Sequence, residues 1–428
     1  MRIRFLLIGL SAYSYTVLAL EPLVPPGLLP TEVARRMLEQ DPAVGAGRAG
    51  LEVARQEAGI LEASPYEWTP KVLAQQRNLQ DGPSYFEWNA GIERTIRLPG
   101  KAAADRNLGK ASLDESQARY GEALHEAARE LMALWVDWLA AERARELAEI
   151  NLRSVQESLV SVEKRSLAGD ASKLDLGIAR AELSEQRRVE NDAKTLASVT
   201  WSRLSTRFPG FNRQMVALPE PLPISENSAF WRERILAESD ELKLVQMGIQ
   251  KAQAIAQRMR ASRTPDPTLG IYTASEIGGR ERIFGVMISI PIPGAARDLR
   301  GVRAIADVEV LRQEVELKKR QLEAEIAGAV VTAQGAYDSL QIANEGATTM
   351  QDNANLMQRA YALGEAELQA LLLARRQATA AMNSALQAQA SALAKDRCSK
   401  AVHRSLAMLY GDRVISARRA LNESGLKP

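Results

Sequence analysis

The side chains best suited to chemistry are few in this sequence. It holds two histidines, His125 and His403, and one cysteine, Cys398, in 428 residues. A Cys-based zinc site or an internal disulfide needs more than one cysteine, and a histidine-built metal centre needs partner ligands that neither histidine has nearby. Cys398 stands in Asp396-Arg397-Cys398-Ser399, without the base and acid that would activate a nucleophile. Gly45-Ala46-Gly47-Arg48-Ala49-Gly50 fits a GxGxxG pattern, but no strand precedes it and Asp41-Pro42 lies just upstream. Small residues for close helix packing explain it better than a dinucleotide cradle. Met350 and Met357 fall on a helical stripe and read as packing. The expectation is a protein that is not an enzyme, with no cofactor and no metal site.

Charge narrows the classes further. Lys and Arg number 55 against 53 Asp and Glu, so there is no surplus of basic residues for a nucleic acid. Aromatics make up only 5%, which argues against large aromatic-rich cores. The N-terminus reads as an export signal over 1–19: Arg2 and Arg4, an apolar stretch, then Val17-Leu18-Ala19 as a cleavage site. No cysteine follows it, so no lipoprotein anchor is expected. No later run of about 18 apolar residues predicts a transmembrane helix.

The elements that must position any site are more legible. After Pro22, Pro25, Pro26 and Pro30 the spacing predicts a helix over 31–63, capped by Thr31 and broken near Pro42. Over 68–98 the period changes from about 3.6 to 2. Phe86-Glu87-Trp88-Asn89-Ala90-Gly91-Ile92-Glu93 alternates, and Asp81-Gly82-Pro83-Ser84 signals the turn from an earlier strand. Leu98-Pro99-Gly100 ends this hairpin. Helical sequence over 101–167 then carries a heptad row of Leu113, Tyr120, Ala127, Leu134, Ala141, Ala148, Val155 and Val162. At 1.5 Å per residue such a helix is on the order of 100 Å long, and its seam is that of a coiled coil. Gly169-Asp170 closes it before a helix over 172–206. A proline-rich linker over 207–224 leads to a helix over 225–263.

Then the pattern repeats. Thr264-Pro265 echoes Thr69-Pro70 after 195 residues, and Phe284, Val286, Ile288 and Ile290 alternate again. Ile292-Pro293-Gly294 matches Leu98-Pro99-Gly100. A second heptad row, Val308, Val315, Leu322, Ala329, Ala336, Ala343, Met350 and Met357, follows the first by 195 residues, and Leu363-Gly364-Glu365-Ala366 matches Ala168-Gly169-Asp170-Ala171. The chain is a duplication: a first repeat over 20–206, and a second over 225–411 with strands at about 267–293 and helices at about 296–362 and 365–410. A basic tail occupies 412–428.

The strands have the length and alternation of membrane-spanning β-strands, with Phe86, Trp88, Ile92, Phe284, Val286 and Ile288 facing lipid. Four strands cannot close a barrel, whose smallest form has about eight, and an open edge in lipid leaves backbone groups unsatisfied. Strands that span a membrane here therefore require several chains. The alternative is a sheet that caps a non-pore periplasmic coiled-coil scaffold.

Export signal, two strand-pair and helix-pair repeats and a central linker together resemble the TolC-like outer-membrane efflux proteins, over essentially the whole mature chain. Ile96-Arg97-Leu98-Pro99-Gly100-Lys101 is most similar to the branch serving heavy-metal and other resistance-nodulation-division pumps. The resemblance implies a mostly α fold with a small β part, assembling as a homotrimeric α/β-barrel in the outer membrane: a twelve-stranded transmembrane barrel with a periplasmic α-helical tunnel. It implies a passive exit duct for heavy-metal or drug efflux, working with a periplasmic adaptor (membrane fusion) protein and an inner-membrane resistance-nodulation-division or ABC-type pump. A type I protein-secretion duct uses the same tube. Gly169, Asp170, Gly364 and Glu365 would lie at the tunnel tip where the adaptor docks. Toxin-exporting relatives place aspartates after the second tip turn, where this chain has Ala370 and Leu373. That departure implies a more apolar gate, with Asp175, Ala370, Leu372 and Leu373 as its candidates.

Overall fold

Each repeat passes from short helices through two strands to one long and one shorter helix. In chain order these are α1 (Thr31–Gln40), α2 (Pro42–Glu62), β1 (Thr69–Asn78), β2 (Ser84–Thr95), α3 (Pro99–Ala168) and α4 (Lys173–Arg207), then α5 (Ser228–Glu238), α6 (Asp240–Ala261), β3 (Thr268–Glu276), β4 (Glu281–Ser289), α7 (Ala295–Ala362) and α8 (Leu368–Ser399). They belong to a computed structural model that describes residues 29–213, 217–223 and 227–399. The expected export signal over 1–19, His403 and the basic tail over 412–428 lie outside the described residues.

Long helices are accompanied by two shorter ones laid end to end. Along α3, α2 packs on the first part and α4 on the last. The splice between them is built on Asp41. Its carboxylate caps α2 by accepting from the Ala43 amide at 2.8 Å and the Val44 amide at 3.2 Å, which is what an N-cap aspartate before a proline can do. Arg207, the last residue of α4, binds the same carboxylate and reaches Glu130 of α3 at 2.7 Å. The few aromatic residues gather at this splice, contrary to the expectation from composition. Trp135 and Trp138 lie 5.0 Å apart between ring centroids, Trp138 and Trp201 also 5.0 Å, and Phe208 is buried among them. Scarcity over the whole chain says nothing about clustering once a fold brings 135 and 201 together.

The second half departs from the expected layout in three places. The helix anticipated over 225–263 is two helices, because Ser239 turns out of helical geometry to cap α6, accepting from the Leu242 amide at 3.1 Å. Strand β4 stops at Ser289, short of 293, since Pro291 and Pro293 have no amide to give a ladder. On α7 the buried row is Leu322, Ile326, Val330, Ala333 and Leu340, whereas Met350 of the heptad row is exposed. The true stripe runs at helical period and drifts off a strict seven-residue repeat. In the first repeat, α1 begins at Thr31 itself, with Pro30 at the cap position and no side-chain cap.

The strands form one antiparallel sheet in the order β1-β2-β3-β4, so the repeats meet where β2 pairs with β3. The passage from sheet to helix is pinned by buried ions from both repeats. Asp266, just before β3, accepts from Tyr66 Oη at 2.7 Å, from the Leu98 amide at 3.0 Å and from Lys101 Nζ at 2.9 Å. Arg97 pairs with Asp105 at 3.2 Å and donates to the Leu61 and Glu62 carbonyls, each at 2.7 Å, closing the end of α2. Arg258 of α6 also binds Asp105.

Burial opposes ionisation of Asp266, but Tyr66, Lys101 and the Leu98 amide prevail and hold its carboxyl below the usual range. Its contribution to stability is therefore present above the unfolded value near 3.8 and is lost as pH falls through the lower folded value. Asp266→Asn leaves Lys101 buried without a counter-charge and should cost about 3–5 kcal/mol near neutral pH. Denaturant midpoints of the two proteins should converge as pH drops below that range.

Candidate functional site

Strand register sorts the sheet into two chemically distinct faces. Ile92 lies opposite Ile271, which lies opposite Val286; Ala90, Thr273 and Phe284 form the next row. Side chains directly opposite share a face, and by parity Phe86, Trp88, Ile92, Phe284, Val286 and Ile288 all project from one side. Each is exposed in the single chain, Phe284 at 74%. The other face carries ion pairs on β1 and β2, beside apolar Leu73, Ile283 and Met287. Lys71 Nζ meets Glu93 at 2.6 Å, Arg77 Nε meets Glu87 at 3.0 Å, and Gln75 donates to Glu87 at 3.0 Å. Glu87 is only 2% exposed. Its neighbours on β1 and the Ile277 amide enclose it. Among the described residues β1 and β4 each have one edge without a partner strand.

At the opposite end of the long helices, two turns repeat one geometry. Gly169 has φ +86° and Gly364 φ +80°. In the first turn the Asp170 amide bonds the Arg165 carbonyl at 2.8 Å, and in the second the Glu365 amide bonds the Ala360 carbonyl at 2.9 Å. These are Schellman closures, in which a left-handed residue lets the chain reverse while the last helical carbonyls stay satisfied. Glycine takes that conformation without the steric cost a Cβ brings. Around them project apolar side chains: Leu167 is 90% exposed and Leu363 75%, with Leu174 and Leu373 also exposed. Asp170 and Glu365 are exposed beside them.

The four gate candidates have different surroundings. Asp175 forms a capping box with Ser172, its carboxylate accepting from the Ser172 amide at 3.0 Å and its own amide donating back to Ser172 Oγ at 3.0 Å. Leu372 is buried within the protomer against Val162, Ala179 and Leu368. Ala370 is half-buried and Leu373 points away from the protomer.

Sequence reasoning did not find the polar ties between the two helix hairpins here. Arg376 of α8 donates from Nε to Glu182 of α4 at 2.8 Å, and Arg375 reaches Ser158 of α3 and Gln358 of α7. Arg165 of α3 lies over the Tyr361 ring of α7, 5.1 Å from its centroid. Arg375 matches Arg180 in the duplication, but Arg180 pairs within its own hairpin, with Glu163 at 3.3 Å. The sequence signal was symmetric and the contacts are not. Replacing Gly364 by Val should cost about 1–2 kcal/mol through the left-handed backbone. Hydrogen exchange should speed up for amides around 361–368 while those of the sheet keep their wild-type rates.

Residues 33–206 match the family described as Outer membrane efflux protein. No curated protein sequence matches the chain. Among solved structures, the CmeC outer membrane channel of Campylobacter jejuni superposes with a TM-score of 0.71 at 14% identity, covering 92% of this chain and 93% of that one. The MtrE outer membrane channel of Neisseria gonorrhoeae, in its open state, gives 0.70 at 16% identity, covering 87% and 88%. CusC, a transmembrane channel, gives 0.69 at 18% identity, covering 88% and 91%. At these identities the likeness establishes the fold over most of the chain, and the family match is to residues 33–206.

Proposed function

We propose that this chain is the outer-membrane exit duct of a tripartite efflux system, conducting substrate passively from an inner-membrane pump and a periplasmic adaptor to the exterior. The observation that carries the reading is a four-stranded sheet with one exposed apolar face, ion pairs on the other, and no partner strand at either edge among the described residues. Three copies supply twelve strands and pair every β4 with a neighbouring β1, so that no edge is left in lipid. The apolar face meets the hydrocarbon and the charged face lines water. The helices continue as a periplasmic tunnel, and an exposed apolar stripe on α7, including Val302, Ile305, Val331 and Ile342, is available for the neighbouring copy.

The tip turns at Gly169, Asp170, Gly364 and Glu365 are the proposed adaptor contacts, supported by the exposed leucines around them. Leu373, with Ala370 beside it, is the proposed narrowing of the tunnel. Leu372 seals the packing inside each protomer, and the local cap takes up Asp175. The cargo we propose is heavy-metal ions or drugs, on the likeness of the Ile96–Lys101 junction to that branch. Selectivity would rest on tunnel width and lining charge, with no catalytic step.

Two measurements test the duct. Protein extracted in detergent from outer membranes should appear as three-fold particles with a long hollow stalk and a detergent belt at one end; a belt-free monomeric rod would sink the reading. On the same footing, Val286→Arg should cost about 2–4 kcal/mol and block membrane assembly, because its site faces hydrocarbon. Asn89→Lys, on the ion-paired face, should assemble normally. A soluble scaffold would tolerate both, since Val286 is exposed in the single chain.

A further inference from the structure

Near the tip the two helix hairpins leave a cleft of about 190 Å³ between α3, α4, α7 and α8. Its walls carry amides and hydroxyls, among them Asn151 and Ser154 of α3, Gln186 of α4, and Gln351 and Asn355 of α7. The charged groups lining it are two guanidiniums, Arg375 and Arg376, and one carboxylate, Glu182. That carboxylate is already engaged. It is 2% exposed and accepts from Arg376 Nε at 2.8 Å and from Gln186 at 3.1 Å. Arg375 bonds only neutral oxygens, those of Ser158 and Gln358, and no ion pair to it forms among the described residues. Burial pushes its guanidinium pKa down, against the attraction of Glu157 and Glu182 at longer range.

A guanidinium taken out of water without a carboxylate is under-compensated, and its planar donors match an oxyanion. The cleft is large enough for such an ion together with bridging waters. We propose that this cleft is an anion-binding site, in which a small oxyanion bound by Arg375 and the surrounding amides ties the α3/α4 hairpin to the α7/α8 hairpin just above the tip turns. The inference rests on the protomer's own side chains and stands apart from the duct reading.

The test is a titration of inorganic phosphate into the purified full chain in detergent, at fixed pH and ionic strength, reading the unfolding temperature. Wild type should give a saturable rise. Arg375→Gln should lose it, and Asn355→Leu, at an exposed position on the wall, should raise the half-saturating concentration by about tenfold. Lys194→Gln, on α4 outside the cleft, should respond as wild type does. Absence of a saturable rise in wild type overturns the proposal. So does a rise of wild-type size and midpoint in Asn355→Leu, which decides the matter if Arg375→Gln fails to fold.

Discussion

The carboxylate of Asp266 joins everything above it to everything below. It belongs to the second repeat, yet it accepts the Leu98 amide at the start of α3, a helix whose own cap position is a leucine with nothing to offer. It also neutralises Lys101 one turn further on. An anion at a helix N-terminus favours the helix dipole and satisfies an amide that would otherwise be orphaned. Here it does so from across the β2–β3 junction, so the direction of a 70-residue helix is fixed relative to the sheet by the other half of the chain. Arg97 performs the complementary task at the end of α2, covering its last carbonyls while holding Asp105. With α2, α3 and α6 tied together at the foot of the sheet in this way, the faces of the sheet acquire a fixed relation to the start of the first long helix.

Duplication supplied the parts and divergence set their contacts. Both tip turns keep a glycine in the left-handed region and the same closing hydrogen bond. The helices that follow them do not keep the same partners. Arg180 stays within its own hairpin, while Arg375 and Arg376 cross to the other one. The result near the tip is a joint of mixed character, with Leu368 and Leu372 sealing one side and the Glu182–Arg376 pair closing another.

The single chain also leaves surfaces that water does not favour. Among the described residues the sheet has two open edges and an apolar face, and α7 carries exposed apolar side chains. Backbone groups at an open edge are tolerable in water and costly in hydrocarbon, so the proposed membrane placement and the proposed trimer follow from one constraint.

By itself the sequence determined what depends on local chemistry and on repetition. Alternation at 86–93 and 284–290 set strand parity, so all six residues expected to face lipid lie on one side of the sheet. Glycine between a helical run and a polar turn marked both tip reversals, and matching at one offset revealed the duplication. What remained was decided by tertiary packing. The heptad rows give a helix its stripes but cannot say which stripe meets which neighbour, so Met350 came out exposed and Ile326 buried. Leu372 and Leu373 are adjacent and alike in sequence, and only the position of α3 and α4 turns one inward and leaves the other out. The aromatic splice and the Arg376–Glu182 pair join residues far apart in the chain, the pair by 194 positions. Periodicity carries no information about such separations, because it reports the orientation of each side chain about its own axis and not the element that axis will lie against.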